Sequence, residues 1–271
     1  MQKEIVFLGT GYALALNCYN SCFVIKNGDE LFMVDAGGGN QILKLLQDTK
    51  INIDKIHDLF VTHTHTDHIL GVIWVMRSIL QKMKAGKYDG SLRIFSHAKV
   101  LNLLKTICTA TLPKKLITLM NERVIFNELT DGANFQSCGM SFRAFDILST
   151  KEKQYGFTAL FDDGLKLSYL GDEPFNEHCE SYVKDSDYLI TEAFCLYKDR
   201  DIYKPYEKHH STAKDAAECA SKLRVKNIIL FHTEDNDLKN RKETYTKEAT
   251  EYFAGKVYVP DDLEVICLET K

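Results

Sequence analysis

Residues 60–71 read Phe-Val-Thr-His-Thr-His-Thr-Asp-His-Ile-Leu-Gly, which puts His63, His65, Asp67 and His68 within six residues of one another. Imidazole nitrogen and carboxylate oxygen are the donors that suit zinc, manganese or iron. In extended chain or a tight turn, residues two apart point to the same side, so the rings of His63 and His65 can share one ion. Apolar residues flank the cluster on both sides, as expected if one element delivers it and another carries the chain away. The chemistry such a cluster predicts is metal-assisted hydrolysis. One or two divalent ions are expected, zinc in the first place, with manganese or iron as alternatives.

Further candidates stand at strand ends. The strand-like run 165–170 stops at Gly171-Asp172, the run 227–231 stops at His232, and the run 58–61 leads into His63. Three strand ends that release ligand-type side chains predict one sheet edge converging on one site. His210 precedes Ser211-Thr212 and a segment in which Ala213, Ala216, Ala217, Ala220 and Leu223 recur at helical spacing. Thr212 and Asp215 have the spacing of a capping box, which places His210 close to the positive end of that helix. His97 reads as a helix-start residue, and His57 and His178 as solvent-facing side chains.

These residues need elements to position them. Apolar runs at 4–8, 22–25 and 31–34, with Lys-Asn-Gly-Asp between the last two, predict a strand and a hairpin. Ile42, Leu45 and Leu46 predict a short amphipathic helix. Leu70, Ile73, Trp74, Met76 and Leu80 predict a buried helix after the histidine cluster. A strand at 92–95 and a helix at 100–107 follow. Strands are expected at 140–147, 156–161, 165–170, 188–191 and 227–231, with a charged loop at 195–208.

The run Thr62-His63-Thr64-His65-Thr66-Asp67-His68 resembles the HxHxDH motif of the metallo-β-lactamase fold hydrolases. His210-Ser211-Thr212 before an alanine-rich helix, followed by Leu230-Phe231-His232, is similar to the ribonuclease Z-like branch of that family. The resemblance covers nearly the whole chain. It implies an α/β (α+β) protein, a four-layer αββα sandwich, with residues 1–271 forming a single domain of two strand-rich halves, 1–130 and 131–271. By the same resemblance, His63 and His65 hold a first metal, Asp67, His68 and His232 hold a second, and Asp172 bridges them. Asp67 and His210 are expected in catalytic roles, the first orienting water and the second protonating the leaving oxygen or stabilising developing charge. Gly9-Thr10-Gly11 and Val34-Asp35-Ala36-Gly37 match the family's early signatures, with Asp35 supporting the metal loop from behind. One ligand departs from the pattern. The family places a further histidine ahead of the Tyr155-Gly156-Phe157 segment, but none occurs between His97 and His178. Leu148 takes its place, with Ser149 or Thr150 as alternative alignments. The first metal is therefore expected to bind more weakly than the second.

The remaining composition narrows the function. The 271 residues are 45% hydrophobic with a formal net charge of -4, enough for a substantial core. That charge and a pI near 6.1 exclude a global basic face for nucleic acid or anionic membrane. A local patch of Lys204, Lys208, His209 and Lys214 remains. No apolar run reaches the roughly 18 residues of a membrane span and the start does not read as a signal peptide, so no membrane partner and a cytoplasmic protein are expected. The eight cysteines form no CxxC pair; Cys219 and Cys267 read as small buried hydrophobes, and Cys18 and Cys22 as the pair to watch. The first functional reading is a phosphodiesterase acting on a small phosphodiester or nucleotide, with RNA as an alternative substrate, as a monomer or a homodimer. The competing readings are a lactone or thioester acyl hydrolase, and a metal-binding module whose catalysis is weakened at Leu148.

Overall fold

Strands β1 (Lys3–Gly9), β2 (Cys22–Asn27) and β3 (Glu30–Val34) form an antiparallel meander whose apolar residues, Ile5, Val24 and Phe32 among them, are fully buried. In this computed structural model, which describes residues 2–269, the chain divides into two units. The first takes residues 2–9, 20–129 and 263–268, and the second takes 10–19, 130–262 and 269.

The first unit continues with helix α1 (Gln41–Asp48), strand β4 (Ile56–Phe60), the long helix α2 (Thr66–Lys84), strand β5 (Leu92–Ser96), helices α3 (Ala98–Thr111) and α4 (Lys114–Arg123), and strand β6 (Val124–Glu128). α1 buries Ile42, Leu45 and Leu46, as its periodicity requires. β3, β4, β5 and β6 pair in parallel, each connected to the next by a helical crossover. The second unit begins its sheet with β7 (Asn134–Ser137), β8 (Met140–Asp146), β9 (Tyr155–Phe161) and β10 (Lys166–Tyr169), all antiparallel neighbours. Helix α5 (Glu180–Val183), strand β11 (Tyr188–Glu192), helices α6 (Arg200–Tyr203) and α7 (Ala213–Lys222), strand β12 (Asn227–Phe231), helix α8 (Leu238–Thr250) and strand β13 (Lys256–Tyr258) follow. β14 (Val265–Cys267) returns to the first unit and pairs with β1.

Among the described residues this gives two seven-stranded mixed sheets, in the orders β14-β1-β2-β3-β4-β5-β6 and β13-β12-β11-β10-β9-β8-β7. Each has an antiparallel half and a parallel half. The parallel halves matter for function, because the carboxyl ends of parallel strands open onto one edge, where loops can gather polar groups. In the second unit the packing behind that edge comes from Ala213, Ala216, Ala217 and Ala220 of α7 against Leu189, Ile228 and Leu230. Small side chains let the helix lie close to the sheet.

Several expectations change. The buried stripe of α2 is Ile69, Val72, Val75, Met76, Ile79, Leu80 and Met83, while Trp74 is exposed and Leu70 and Ile73 are half-buried. A helix fixes its inner face by the 3.6 period, and residues 70, 73 and 74 lie along its flank. The 195–208 segment is a chain of short helical turns rather than an open loop. α4 and β6 were not expected. Cys267 is exposed on an edge strand and Cys219 half-buried, so neither is a core hydrophobe. Among the described residues no disulfide joins the cysteines and no helix is long and apolar enough to cross a membrane. Finally, the ligand-releasing strands do not share one sheet: β4 belongs to the first, β10 and β12 to the second. Strand periodicity reports which face is buried, and it carries no record of sheet membership.

Candidate active site

The first unit builds its part from a strand, a turn and a helix start. His63 follows β4 by three residues, His65 stands at the N-cap of α2, and Asp67 and His68 lie in its first turn. The His63 ring centroid is 4.5 Å from that of His65 and 4.2 Å from that of His68. His63 Nε2 lies 2.8 Å from His65 Nδ1, and His68 Nε2 lies 3.4 Å from Asp67 Oδ2. His63 and His68 are fully buried.

Asp35 orders this cluster. Its Oδ1 accepts the Thr62 amide N–H at 2.8 Å, and its Oδ2 accepts the Thr62 hydroxyl at 2.8 Å and lies 2.8 Å from His68 Nδ1. Because the Thr62 hydroxyl hydrogen goes to Asp35, the His63 Nδ1 found 2.8 Å from that oxygen must be the donor of their bond. The same holds for His68 Nδ1 facing the carboxylate. Both rings therefore carry hydrogen on Nδ1 and a lone pair on Nε2, the state in which imidazole binds a metal. The backbone is shaped to permit this. Asp35 adopts a left-handed φ of 53°, and α2 approaches so closely that a Cβ on Gly71 would stand 1.8 Å from the Ala36 carbonyl oxygen. Only glycine allows that approach, and with it the contact of Asp35 and His68.

The second unit gathers its residues across the sheet. β10, β11 and β12 are adjacent and parallel, with Tyr169 opposite Ile190 and Glu192 opposite Phe231. Their carboxyl ends release Asp172, Glu192 and His232 along one edge. Asp172 Oδ2 lies 3.5 Å from His232 Nε2, both residues being buried. The segment after α6 runs beside the end of β11, where the Phe194 N–H donates to Ser211 O at 2.9 Å and the Ala213 N–H to Cys195 O at 3.0 Å. This brings His210 Nδ1 to 2.6 Å from Glu192 Oε2, while Glu192 Oε1 accepts the Ser211 N–H at 2.6 Å. The His210 ring also lies tilted against Phe194 at 5.0 Å and against His232 at 5.3 Å between centroids. The capping box is present, with the Thr212 hydroxyl accepting from the Asp215 amide and the Asp215 carboxylate accepting from the Thr212 amide.

Burial pushes the fully enclosed Glu192 carboxyl well above the usual carboxylate range. It pushes the His210 imidazole down to about 4, helped by the nearby Lys151 ammonium and opposed by Asp172, Glu173 and a hydrogen bond to the Asp172 backbone. Both directions favour a pair without net charge, in which the bridging proton sits between Glu192 and His210 Nδ1 and the ring keeps a hydrogen on Nε2. Moving the bridging proton to the ring leaves that Nε2–H in place. Glu192, His210 and His232 could together also offer ligand atoms to an ion, but the 2.6 Å contact already engages the Glu192 oxygen and the His210 nitrogen with each other.

His63, His65, Asp67 and His68 are together in the first unit, with Asp35 behind them. Asp172, His210 and His232 are together in the second. His97 is the N-cap residue of α3, His57 packs against Tyr88, and His178 is exposed and pairs with Asp131 at 3.1 Å. Leu148 is half exposed, on a left-handed backbone with φ 57°. Lys204, Lys208 and His209 are exposed, whereas Lys214 lies over the Tyr197 ring at 4.4 Å. Three residues of interest were missed in the sequence: Glu192, Lys151 and Gln154. For Glu192 a signal existed, since an acidic residue closing an apolar strand repeats the pattern of Gly171-Asp172 and His232.

The family model described as Anti-Pycsar protein Apyc1 matches residues 3–254. The ribonuclease Z of Thermococcus sibiricus is 26% identical over 310 residues, covering 99% of this chain and 97% of that protein. That of Enterococcus faecalis is 26% identical over 306 residues, covering 95% of each. Among solved structures, the metallo-β-lactamase fold protein YhfI from Bacillus subtilis superposes with a TM-score of 0.79 at 17% identity, covering 98% of this chain and 100% of that one. The short form of human tRNase Z gives 0.77 at 20% identity, covering 97% and 98%. The fold is therefore α/β, two mixed sheets flanked by helices, of the metallo-β-lactamase type.

Proposed function

Because the chain belongs to the family described as Anti-Pycsar protein Apyc1, has the metallo-β-lactamase fold and is similar to ribonuclease Z proteins, we propose that it is a metal-dependent phosphodiesterase acting on a small phosphodiester or nucleotide. The observation that carries this reading is the 2.6 Å contact of His210 with Glu192, in the same unit as the Asp172–His232 pair, which supports a proton donor beside candidate metal ligands.

The donors suit divalent ions. The Nδ1 hydrogens of His63 and His68 are committed to Thr62 and Asp35, which presents Nε2 as the ligand atom of each ring. His63, His65 and Asp172 would hold a first ion, and Asp67, His68, Asp172 and His232 a second, zinc before manganese or iron. Ions bound there supply Lewis acidity and a water that ionises near neutral pH, at about 7 in well-studied zinc sites.

The chain's own residues do the rest. Asp35 and Thr62 keep the imidazoles in one tautomer. Asp67 orients the attacking water and accepts its hydrogen bond. His210 gives its Nε2 proton to the leaving oxygen as the ester bond breaks, and Glu192 supports the charge that then shifts within the dyad. Lys151, which lowers the pKa of both dyad members, adds positive charge beside the place where a phosphoryl group gathers negative charge. The acidic net charge favours a small phosphodiester over RNA, whose grip needs several phosphate contacts. We place the protein in the cytoplasm, as a single domain acting as a monomer or a homodimer.

The test is a paired assay on the zinc-loaded chain with bis-p-nitrophenyl phosphate and a panel of lactones. Phosphodiester turnover with lactones left intact is the expected result. Lactone turnover without phosphodiester turnover would make the protein an acyl hydrolase instead.

A further inference from the structure

The segment that lacks the family's histidine, residues 147–154, ends in a buried amide that faces one of the proposed metal ligands. Gln154 is 1% exposed. Its Oε1 accepts the Asp172 backbone N–H at 3.0 Å, and its Nε2 donates to Asp172 Oδ1. One side chain thus grips both the backbone and the carboxylate of the same residue. Gly171, at φ 69°, belongs to this arrangement, since a Cβ there would stand 2.0 Å from Gln154 Oε1. Gln154 is itself anchored: its backbone carbonyl accepts the Ile147 N–H at 3.0 Å, closing the neck of the loop. Leu148, expected at the place of the absent ligand, meanwhile exposes half its surface.

A carboxylate free to rotate presents either oxygen in any direction. With Oδ1 held by an amide hydrogen, Asp172 presents Oδ2, the oxygen found 3.5 Å from His232 Nε2. Its neighbour Glu173 is restrained in parallel, accepting from the Ser149 hydroxyl at 2.6 Å and pairing with Lys151 at 3.2 Å. The loop therefore spends its polar residues on fixing this strand end rather than on adding a donor of its own.

We propose that Gln154 is a positioning residue for Asp172, setting the carboxylate so that Oδ2 serves as the ligand atom and offsetting part of what the missing histidine would supply. This rests on the functional reading above, in which Asp172 holds metal. Residues that orient a ligand are typically worth about 10- to 100-fold in metal affinity.

The test is zinc titration of the metal-free full chain by calorimetry. Q154M keeps the volume beside Gly171 and removes both hydrogen bonds; Q154N keeps an amide one methylene short. Either variant, shown to be folded by its circular dichroism, is expected to bind zinc about 10- to 100-fold more weakly at the sites that Asp172 serves. In the D172A background, Q154M should move zinc affinity no further, because its effect passes through Asp172. Wild-type zinc affinity in a folded Q154M or Q154N chain overturns the assignment, as does a full additional loss in the D172A background. A wild-type chain that takes up no zinc overturns the functional reading itself, and the two failures are told apart by that control.

Discussion

The two units supply ligand-type residues by opposite means. In the first, four side chains lie within six residues of sequence, and one carboxylate, Asp35, fixes both the turn and the tautomers. In the second, Asp172, Glu192, His210 and His232 are spread over sixty residues and meet only because β10, β11 and β12 are parallel neighbours. The difference teaches where each part is vulnerable. A local cluster depends on the residue that braces it, whereas an assembled one depends on the contacts between its own members.

The largest expected effect is at the dyad. Replacing His210 with alanine should lower turnover of a phosphodiester with an alkoxide leaving group by about 10²- to 10⁴-fold, the usual worth of a general acid. Turnover of bis-p-nitrophenyl phosphate, whose leaving group is stable as an anion, should fall far less, and metal content should not change. Equal losses on both substrates would remove His210 from proton donation, and loss of metal would make it a ligand.

Next comes the brace of the first unit. Asp35→Ala takes an acceptor from Thr62 and His68 together, and should weaken zinc binding about 10- to 100-fold and cost on the order of 3 kcal/mol of stability. Calorimetry and thermal melting of the metal-free chain check both. Unchanged zinc binding would show that the imidazoles hold their orientation without it.

A smaller effect is expected at the mouth of α7. Thr212→Ala removes the capping box and should cost about 1 kcal/mol, read as a lower melting temperature with zinc affinity unaltered. A change in turnover well beyond that loss would mean that the cap also sets His210.

The sequence carried the first unit's part almost entirely, because ligands two and three residues apart announce themselves by spacing. Asp35 was legible through the family signature it resembles, though its bonds to Thr62 and His68 were not. The second unit was legible only at its strand ends. Glu192 closes an apolar strand as Asp172 and His232 do, but an acid at a strand end is common, and nothing in the chain links it to His210 eighteen residues on. Gln154 left no signal at all, since a lone glutamine before Tyr155-Gly156 gains meaning only when Gly171 lies against it. The expectation of one converging sheet edge failed because β4 and β10 read alike in periodicity while lying in different sheets. Trp74 failed through a flank position on α2, where an apolar side chain can face outward without penalty to the core.

Centrally, we propose that the two sets of candidate ligands form metal sites of unequal strength, the first lacking the histidine whose place Leu148 is expected to take. Zinc titration of the metal-free wild-type chain, followed by calorimetry and phosphodiester turnover together, tests it most directly. Two binding events of distinct affinity are expected, with the weaker one tightened in Leu148→His. Two equally tight events, or turnover that persists after complete chelation, would contradict it.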